Sequence, residues 1–181
     1  MSIKLTPSFS VRLLKASQGL SLIELLVTLS IISILLFVGL PSLSDIIKKN
    51  QLDTSTQDLL TAIQTTRTLA VMQHKRAVLK ANSDWSQGWE LFIDDNDNGS
   101  RDTEEELLFT QGAIANLSIT STNAMKTISF INTGESRQAN GSTGGAFLAG
   151  NISICGKKNT KGYKLILARG GRSRISSIMC N

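Results

Sequence analysis

The sequence has few of the residues on which most enzyme active sites depend. Its 181 residues include one histidine and two cysteines. It contains no Ser-His-Asp set, no zinc-ligand spacing and no phosphate-binding loop, and no cysteine lies near the single histidine, His74. Nucleophilic, metal and nucleotide sites each require such a pattern. The sequence therefore predicts a protein that is not an enzyme, with His74 at the surface near a helix end.

Aromatic residues are also scarce, at 5% of the chain, although 41% of the residues are apolar. Much of the apolar content lies in one stretch, residues 19–41, with the sequence GLSLIELLVTLSIISILLFVGLP. The remainder is therefore expected to have a modest core. The length allows one domain and a tether.

Acidic residues are missing from both ends of the chain. Lys4, Arg12 and Lys15 precede Gly19 with no acid among them, and the last 31 residues hold seven bases and no acid. Nine acids and one base lie between Asp84 and Glu106. This asymmetry predicts two faces with different partners, and an anionic partner for the basic end.

The apolar stretch matches a membrane in length. From Leu20 to Leu40 it would form a helix of about 31 Å, and a bilayer core is about 30 Å thick. A secretory signal peptide is followed by small residues and removed. Here Pro41 leads into a helix-compatible sequence, which favours a retained helix with its processing point at Gly19.

The residues around this point resemble the prepilin peptidase site of type IV pilins and type II secretion pseudopilins. Gly19 is followed by Leu20-Ser21-Leu22-Ile23-Glu24, and Pro41 closes the apolar run. The resemblance implies a leader, residues 1–19, cut after Gly19, and N-methylation of Leu20, where phenylalanine is commoner. It also implies prepilin peptidase and other pilins as partners. The expected location is the inner membrane, with the head in the periplasm, and then a pilus or pseudopilus.

Glu24 and Pro41 also have physical roles that do not depend on the resemblance. An acid at bilayer depth is costly without a partner. Glu24, four residues from a free amino terminus, could neutralise the amine of a neighbouring subunit, or it could cap the helix start at headgroup level. Pro41 lacks a backbone N–H and is expected to kink the helix.

An α+β pilin fold is therefore expected, with a long N-terminal helix packed on an antiparallel head. Residues 20–41 form the membrane and assembly helix, and residues 42–75 its amphipathic second half, with Leu52, Leu59, Ile63 and Ala70 on one stripe. Residues 76–181 form the β-rich head and basic tail. The expected strands are 77–80, 88–93, 106–109, 117–120, 127–130, 146–148, 151–155 and 163–168.

The two cysteines, Cys155 and Cys180, lie near the chain end. An even count in a head expected to be exported favours one disulfide, and two unrelated thiols are the alternative.

The acidic segment 94–105 (DDNDNGSRDTEE) has the spacing of a calcium loop. Its oxygen ligands would be Asp94, Asn96, Asn98, Asp102 and Glu105. However, strands rather than helices flank the segment, and Asp/Asn/Gly-rich turns join strands without a metal. A structural turn is the favoured interpretation, and calcium is the alternative.

The basic end contains Arg169-Gly170-Gly171-Arg172-Ser173-Arg174. In extended chain Arg172 and Arg174 point the same way, about 7 Å apart, which suits phosphates along a nucleic-acid strand. Gly171, Arg172 and Arg174 resemble the GRxR motif of FimT-type minor pilins, which implies DNA binding during natural transformation. Charge alone adds Arg169 and the lysines Lys157, Lys158, Lys161 and Lys164.

Two alternatives stay open for this end of the chain. The basic segment could be a solvated tail, and the protein could be a GspH-like minor pseudopilin of type II secretion that does not bind DNA. The leader and the fold are common to both kinds of subunit, so only the tail discriminates between them.

Overall fold

A computed structural model describes residues 21–142 and 144–181, apart from the side chains of residues 38–42. The predicted leader, its cleavage point at Gly19 and the mature start at Leu20 lie outside these residues. The chain divides near Leu43, and Ser44–Asn181 forms one compact unit.

The helix α1 comprises Leu22–Gln73. In its first part, the hydroxyls of Thr28, Ser30 and Ser33 donate to backbone carbonyls three or four residues earlier, so these polar groups are satisfied within the helix. Glu24 lies in the first turn and is exposed. Among the residues whose side chains are described, no helical stretch is both long and apolar enough to span a bilayer. The backbone is helical through Pro41, and the kink there stays a prediction.

Within the compact unit, α1 buries the stripe that the sequence predicted. Leu59 and Ala70 are fully buried, and Ile63 is nearly so. The helix ends at Gln73, where His74 takes a left-handed conformation (φ 55°) and is exposed, as expected of a surface residue. Apolar spacing thus predicted the packing face correctly.

Two four-stranded antiparallel sheets make up the rest of the head. The first has the order β3-β2-β1-β5 and the second the order β4-β6-β7-β8. The strands are β1 Arg76–Ala81, β2 Trp89–Asp94, β3 Leu107–Gln111, β4 Ser118–Ser121, β5 Thr127–Phe130, β6 Gly150–Cys155, β7 Lys161–Leu167 and β8 Ser173–Met179.

Both sheets contribute to one core with α1. Trp85, in a 3₁₀ turn, and Trp89, at the start of β2, are buried with their ring centroids 6.4 Å apart. Ile128 of β5, Ile154 of β6 and the helix stripe belong to the same cluster. Helix and sheets therefore depend on each other for burial.

Two expectations about the strands were wrong. Residues 146–148 form no strand and contribute only an isolated bridge between Phe147 and Arg137. The basic end is not a tail, because Ser173–Met179 pairs with β7 along its whole length as β8. Ile175 packs against the core from this strand, which supplies the burial that a solvated tail lacks.

The predicted disulfide is confirmed, with Cys155 at the end of β6 and Cys180 just after β8. Backbone hydrogen bonds support the junction, since Cys180 N donates to Thr160 O and Asn159 N donates to Cys180 O. The bridge thus closes one end of the hairpin formed by β7 and β8.

Replacing both cysteines by serine should lower the free energy of unfolding by about 3 kcal/mol, because a bridge across this separation restricts the unfolded chain. Urea unfolding of the full chain in nonionic detergent, with and without reductant, measures the change. The double variant and the reduced parent should agree. Unfolding midpoints equal to that of the oxidised parent would contradict the expectation.

Candidate nucleic-acid interface

The acidic segment forms a turn between β2 and β3 in which its carboxylates accept backbone N–H groups. Asp94 accepts from Asn98 N (3.0 Å) and Gly99 N (2.8 Å). Glu105 accepts from Asp95 N and Asp102 N, both at 2.9 Å. These carboxylates hold the turn closed, as the structural interpretation expects.

The amide side chains complete the turn. Nδ2 of Asn96 and Nδ2 of Asn98 both donate to Asp102 Oδ2, at 2.6 and 3.1 Å. Burial raises the pKa of the Asp94 carboxyl above its ordinary value, and the charge of Glu105 acts in the same direction, against the N–H groups of Gly99 and Asn98. Within the described residues, no three His, Cys, Asp or Glu side chains are placed to hold a metal.

Arg76 anchors this turn to the rest of the head, a role that the sequence did not predict. Its buried guanidinium pairs with Asp97 at 2.6 Å and donates to Ser129 Oγ at 3.0 Å and Ser142 O at 2.9 Å. The sequence did contain one indication of this role, because Arg76 is a basic residue at the start of the apolar strand β1 and an acid-rich segment follows β2. Arg76 thereby ties the acidic turn to β5 and to the loop after it.

The basic end forms a tight hairpin loop between β7 and β8. Gly171 N donates to Ala168 O and Ala168 N donates to Arg172 O, both at 2.9 Å. Three residues, Arg169, Gly170 and Gly171, therefore form the loop, and the third is left-handed (φ 76°). Three-residue hairpin loops characteristically place glycine at this position.

Gly171 also lies too close to another backbone segment for any side chain. A Cβ atom built there would overlap the carbonyl oxygen of Gly134 and come within 2.9 Å of Arg67 Nε. Gly134 is left-handed as well (φ 79°), and a Cβ on it would meet Arg67 and Val71 at 3.2 Å. The hairpin loop is thus seated on the loop that contains Gly134, and both are seated on α1.

Ser136 is a buried residue that connects the loop containing Gly134 to the hairpin loop by hydrogen bonds. It is fully buried, and its Oγ lies 2.7 Å from Leu148 O, 3.0 Å from Ala168 O and 3.2 Å from Arg169 O, so it can donate to one of them at a time. Its N–H donates to Arg169 O at 3.2 Å. The start of the hairpin loop is therefore held by a buried polar group whose partners are all backbone carbonyls.

The three arginines of this loop and strand are presented to solvent. Arg169, Arg172 and Arg174 are exposed, and Arg174 lies opposite Ile166 on β7. None of the ion pairs in the described part of the chain includes any of the three. The structure thus brings together the arginines that the sequence grouped and leaves their charges uncompensated.

The lysines are not all brought to this site. Lys164 lies opposite Ser176 on the same side of the hairpin as Arg174. Lys161 is the first residue of β7, at the disulfide end. Leu167, near the hairpin loop, is six residues further along the extended strand, a distance of about 20 Å. Lys157 and Lys158 precede it, and Lys157 pairs with Asp45 of α1 at 3.6 Å, with both groups well exposed. The predicted basic field is therefore divided between the two ends of the hairpin.

Arg67 is a further basic residue beside the hairpin loop, and the sequence did not identify it. Its Nε donates to Gly134 O at 2.9 Å, and its Nη2 contacts Gly170 O at 3.4 Å. These partners are 67 and 103 residues away in the chain, so no local pattern could have revealed them.

Adding calcium should leave the thermal midpoint of the full chain unchanged, because the carboxylates of the acidic turn already accept backbone N–H groups. The measurement compares unfolding in calcium and in chelator, with magnesium as the ionic control. A calcium-specific rise in the midpoint that is lost in Asp94→Asn would instead establish the metal site.

Two known families match this chain, one in its N-terminal part and one in the helix and head that follow. The prokaryotic N-terminal methylation motif matches residues 14–40, and the family described as type II transport protein GspH matches residues 55–171. The first match supports the predicted prepilin peptidase processing and assembly with other pilins, and proteins of this kind typically lie in the inner membrane before entering a pilus or pseudopilus.

Individual relatives agree with these families. The chain is 34% identical to the pilin-like protein PilA1 of Thermus thermophilus over 49% of its own length, and it spans 56% of that relative. Its fold is similar to that of the type IV minor pilin FimU of Pseudomonas aeruginosa (TM-score 0.54, 18% identity, 71% of this chain and 90% of FimU). It is also similar to the minor pseudopilin EpsH of the Vibrio cholerae type II secretion system (TM-score 0.52, 11% identity, 70% and 97%).

The predicted α+β pilin fold is confirmed by these structures, and the prediction of a non-enzyme is confirmed by the family. The GspH match covers more than half of the chain and follows a prepilin methylation motif. The chain therefore belongs to the GspH family, as a minor pilin or pseudopilin.

Proposed function

We propose that this protein is a minor type IV pilin that binds extracellular DNA without sequence preference during natural transformation. The observation that carries the proposal is the β7–β8 hairpin, which exposes Arg169 in its loop and Arg172 and Arg174 just after it, with no acid of the described residues paired to them. Uncompensated guanidinium groups at a fixed site are expected to attract an anionic partner.

The spacing of these groups suits a phosphate backbone. Arg172 and Arg174 are two residues apart in extended chain, and their Cα atoms are therefore about 7 Å apart on one side of the hairpin. A guanidinium can hold a phosphate through two parallel N–H donors. Lys164, on the same side, adds charge near the strand, whereas Lys157, Lys158 and Lys161 at the far end would contribute only a longer-range field.

Base stacking has little part in the proposed binding. Tyr163 is the only aromatic residue among the last 30. It packs against the core, and a hydrogen bond to Asp53 raises its pKa. With phosphates as the main contact, affinity should fall steeply with salt and vary little with sequence.

The second candidate is a minor pseudopilin of type II secretion. Its support is the family description itself and the similarity of the fold to EpsH. Such a subunit would use the same helix and head in a periplasmic filament. It would have no requirement for two arginines beside a buried left-handed glycine, and this difference favours the first proposal.

Changing Arg172 and Arg174 to alanine should abolish retardation of a DNA duplex in a gel at the salt where the parent binds. In binding that persists at lower salt, the salt slope should be smaller by about 2, because about two phosphate contacts are lost. The assay uses the full chain in nonionic detergent over a salt titration. Lys158→Ala with Lys161→Ala removes the same charge from the other end of the hairpin and should retain binding.

Equal losses in the two double variants would show that net charge, not the arginine loop, holds DNA. Retardation that survives the arginine changes at the salt where the parent binds would end the proposal. In cells, a deletion strain should lose transformation and keep secretion, whereas the opposite pattern supports the pseudopilin.

Gly171→Ala should weaken DNA binding by about tenfold without altering any charge, because the new methyl group displaces the loop from Gly134. Gly170→Ala is the matched control, since a Cβ there meets nothing within 4 Å. Fluorescence anisotropy with a labelled duplex gives both affinities. Equal affinities for the two variants would contradict the structural role assigned to Gly171.

A further inference from the structure

Arg67 on α1 contacts both the hairpin loop between β7 and β8 and the loop containing Gly134, against which the hairpin loop packs. Its Nε donates to Gly134 O at 2.9 Å, and its Nη2 reaches Gly170 O at 3.4 Å. The Nε atom also lies 2.9 Å from where a Cβ of Gly171 would be. The planar guanidinium of Arg67 therefore connects two backbone segments, one at Gly134 and one at Gly170, that are far apart in the chain.

The hydrogen-bond partners of the Arg67 guanidinium are carbonyl oxygens and not carboxylates. No ion pair within the described residues includes Arg67, and its Nη2 lies beside Gly170, the residue that follows Arg169 in the hairpin loop. A neutral side chain such as glutamine at position 67 could also donate to a carbonyl oxygen, and it would not add positive charge beside the loop. A further cation beside the loop that carries Arg169 adds to the positive field there, and an anionic ligand would offset that field.

We infer that Arg67 is a positioning residue of the DNA site, which fixes the hairpin loop so that Arg172 and Arg174 face the phosphate backbone together. This inference rests on the proposed function. Arg67 acts through the loop carbonyls rather than by holding DNA itself, since its Nε and one Nη are directed at Gly134 and Gly170. Lysine, a point donor on a flexible stem, cannot reproduce the two bonds in fixed geometry.

The first test needs no DNA. In the full chain in detergent micelles, Arg67→Gln should speed amide hydrogen exchange at Gly171, whose N–H is bonded to Ala168 O, by about tenfold. Lys49→Gln is the matched control, because it removes one exposed helix cation about 27 Å along α1 from Arg67. Exchange at Gly171 that is the same in both variants would overturn the inference.

The second test measures coupling to DNA binding by fluorescence anisotropy. Arg67→Gln should raise the Kd for a duplex about tenfold, and Arg67→Lys should restore only part of that loss. Lys49→Gln should stay within about twofold of the parent. Because Arg67 acts through the loop, Arg67→Gln combined with Arg172→Ala should cost less than the product of the two single losses.

Full restoration by lysine, or losses that multiply independently, would show a contribution of charge alone and overturn the positioning role. Circular dichroism verifies that each variant is folded. If Arg67→Gln does not fold, Arg67→Lys replaces it in both tests. If the Arg172 and Arg174 changes leave binding intact, the proposed function fails, and the inference fails with it. If they abolish binding and Arg67→Gln does not weaken it, the inference alone is overturned.

Discussion

The close approach of Gly171 to Gly134 is the contact on which the candidate site depends. Both glycines are left-handed, and the space between them admits no Cβ atom. Through this contact the hairpin loop of β7 and β8 rests on a loop that itself rests on α1. The hairpin loop between β7 and β8 is therefore fixed at its base, and this pre-organisation would lower the entropic cost of the proposed DNA binding.

The β7–β8 hairpin is constrained at both ends by different means. At one end the bridge between Cys155 and Cys180 ties the end of β8 covalently to the end of β6. At the other, Ser136 holds the turn through hydrogen bonds from its N–H and hydroxyl to the carbonyls of Ala168 and Arg169, and Gly134 packs closely against Gly171. Core residues of β7 and β8 lie between these ends. The hairpin thus belongs to the pilin head, and Arg169, Arg172 and Arg174 lie exposed at its loop end.

Local patterns in the sequence predicted much of the fold and part of the site. Helical spacing of Leu59, Ile63 and Ala70 predicted the packed face, and short runs separated by turn residues predicted most of the strands. The strand β8 was not predicted because its apolar residues, Ile175, Ile178 and Met179, do not alternate with its polar ones, and its charge favoured an extended basic tail. Gly134, Ser136 and Arg67 were missed because their partners are distant in the chain, and such contacts arise only when the sheets and the helix pack together.

The most direct measurement of the central claim is a map of amide chemical-shift changes when a short DNA duplex is added to the full chain. The account predicts the largest changes at Gly171, Arg172 and Arg174, smaller ones at Lys164, and almost none at Lys157 and Lys158. Changes centred on the lysine end of the hairpin, or changes spread evenly over all exposed cations, would contradict it.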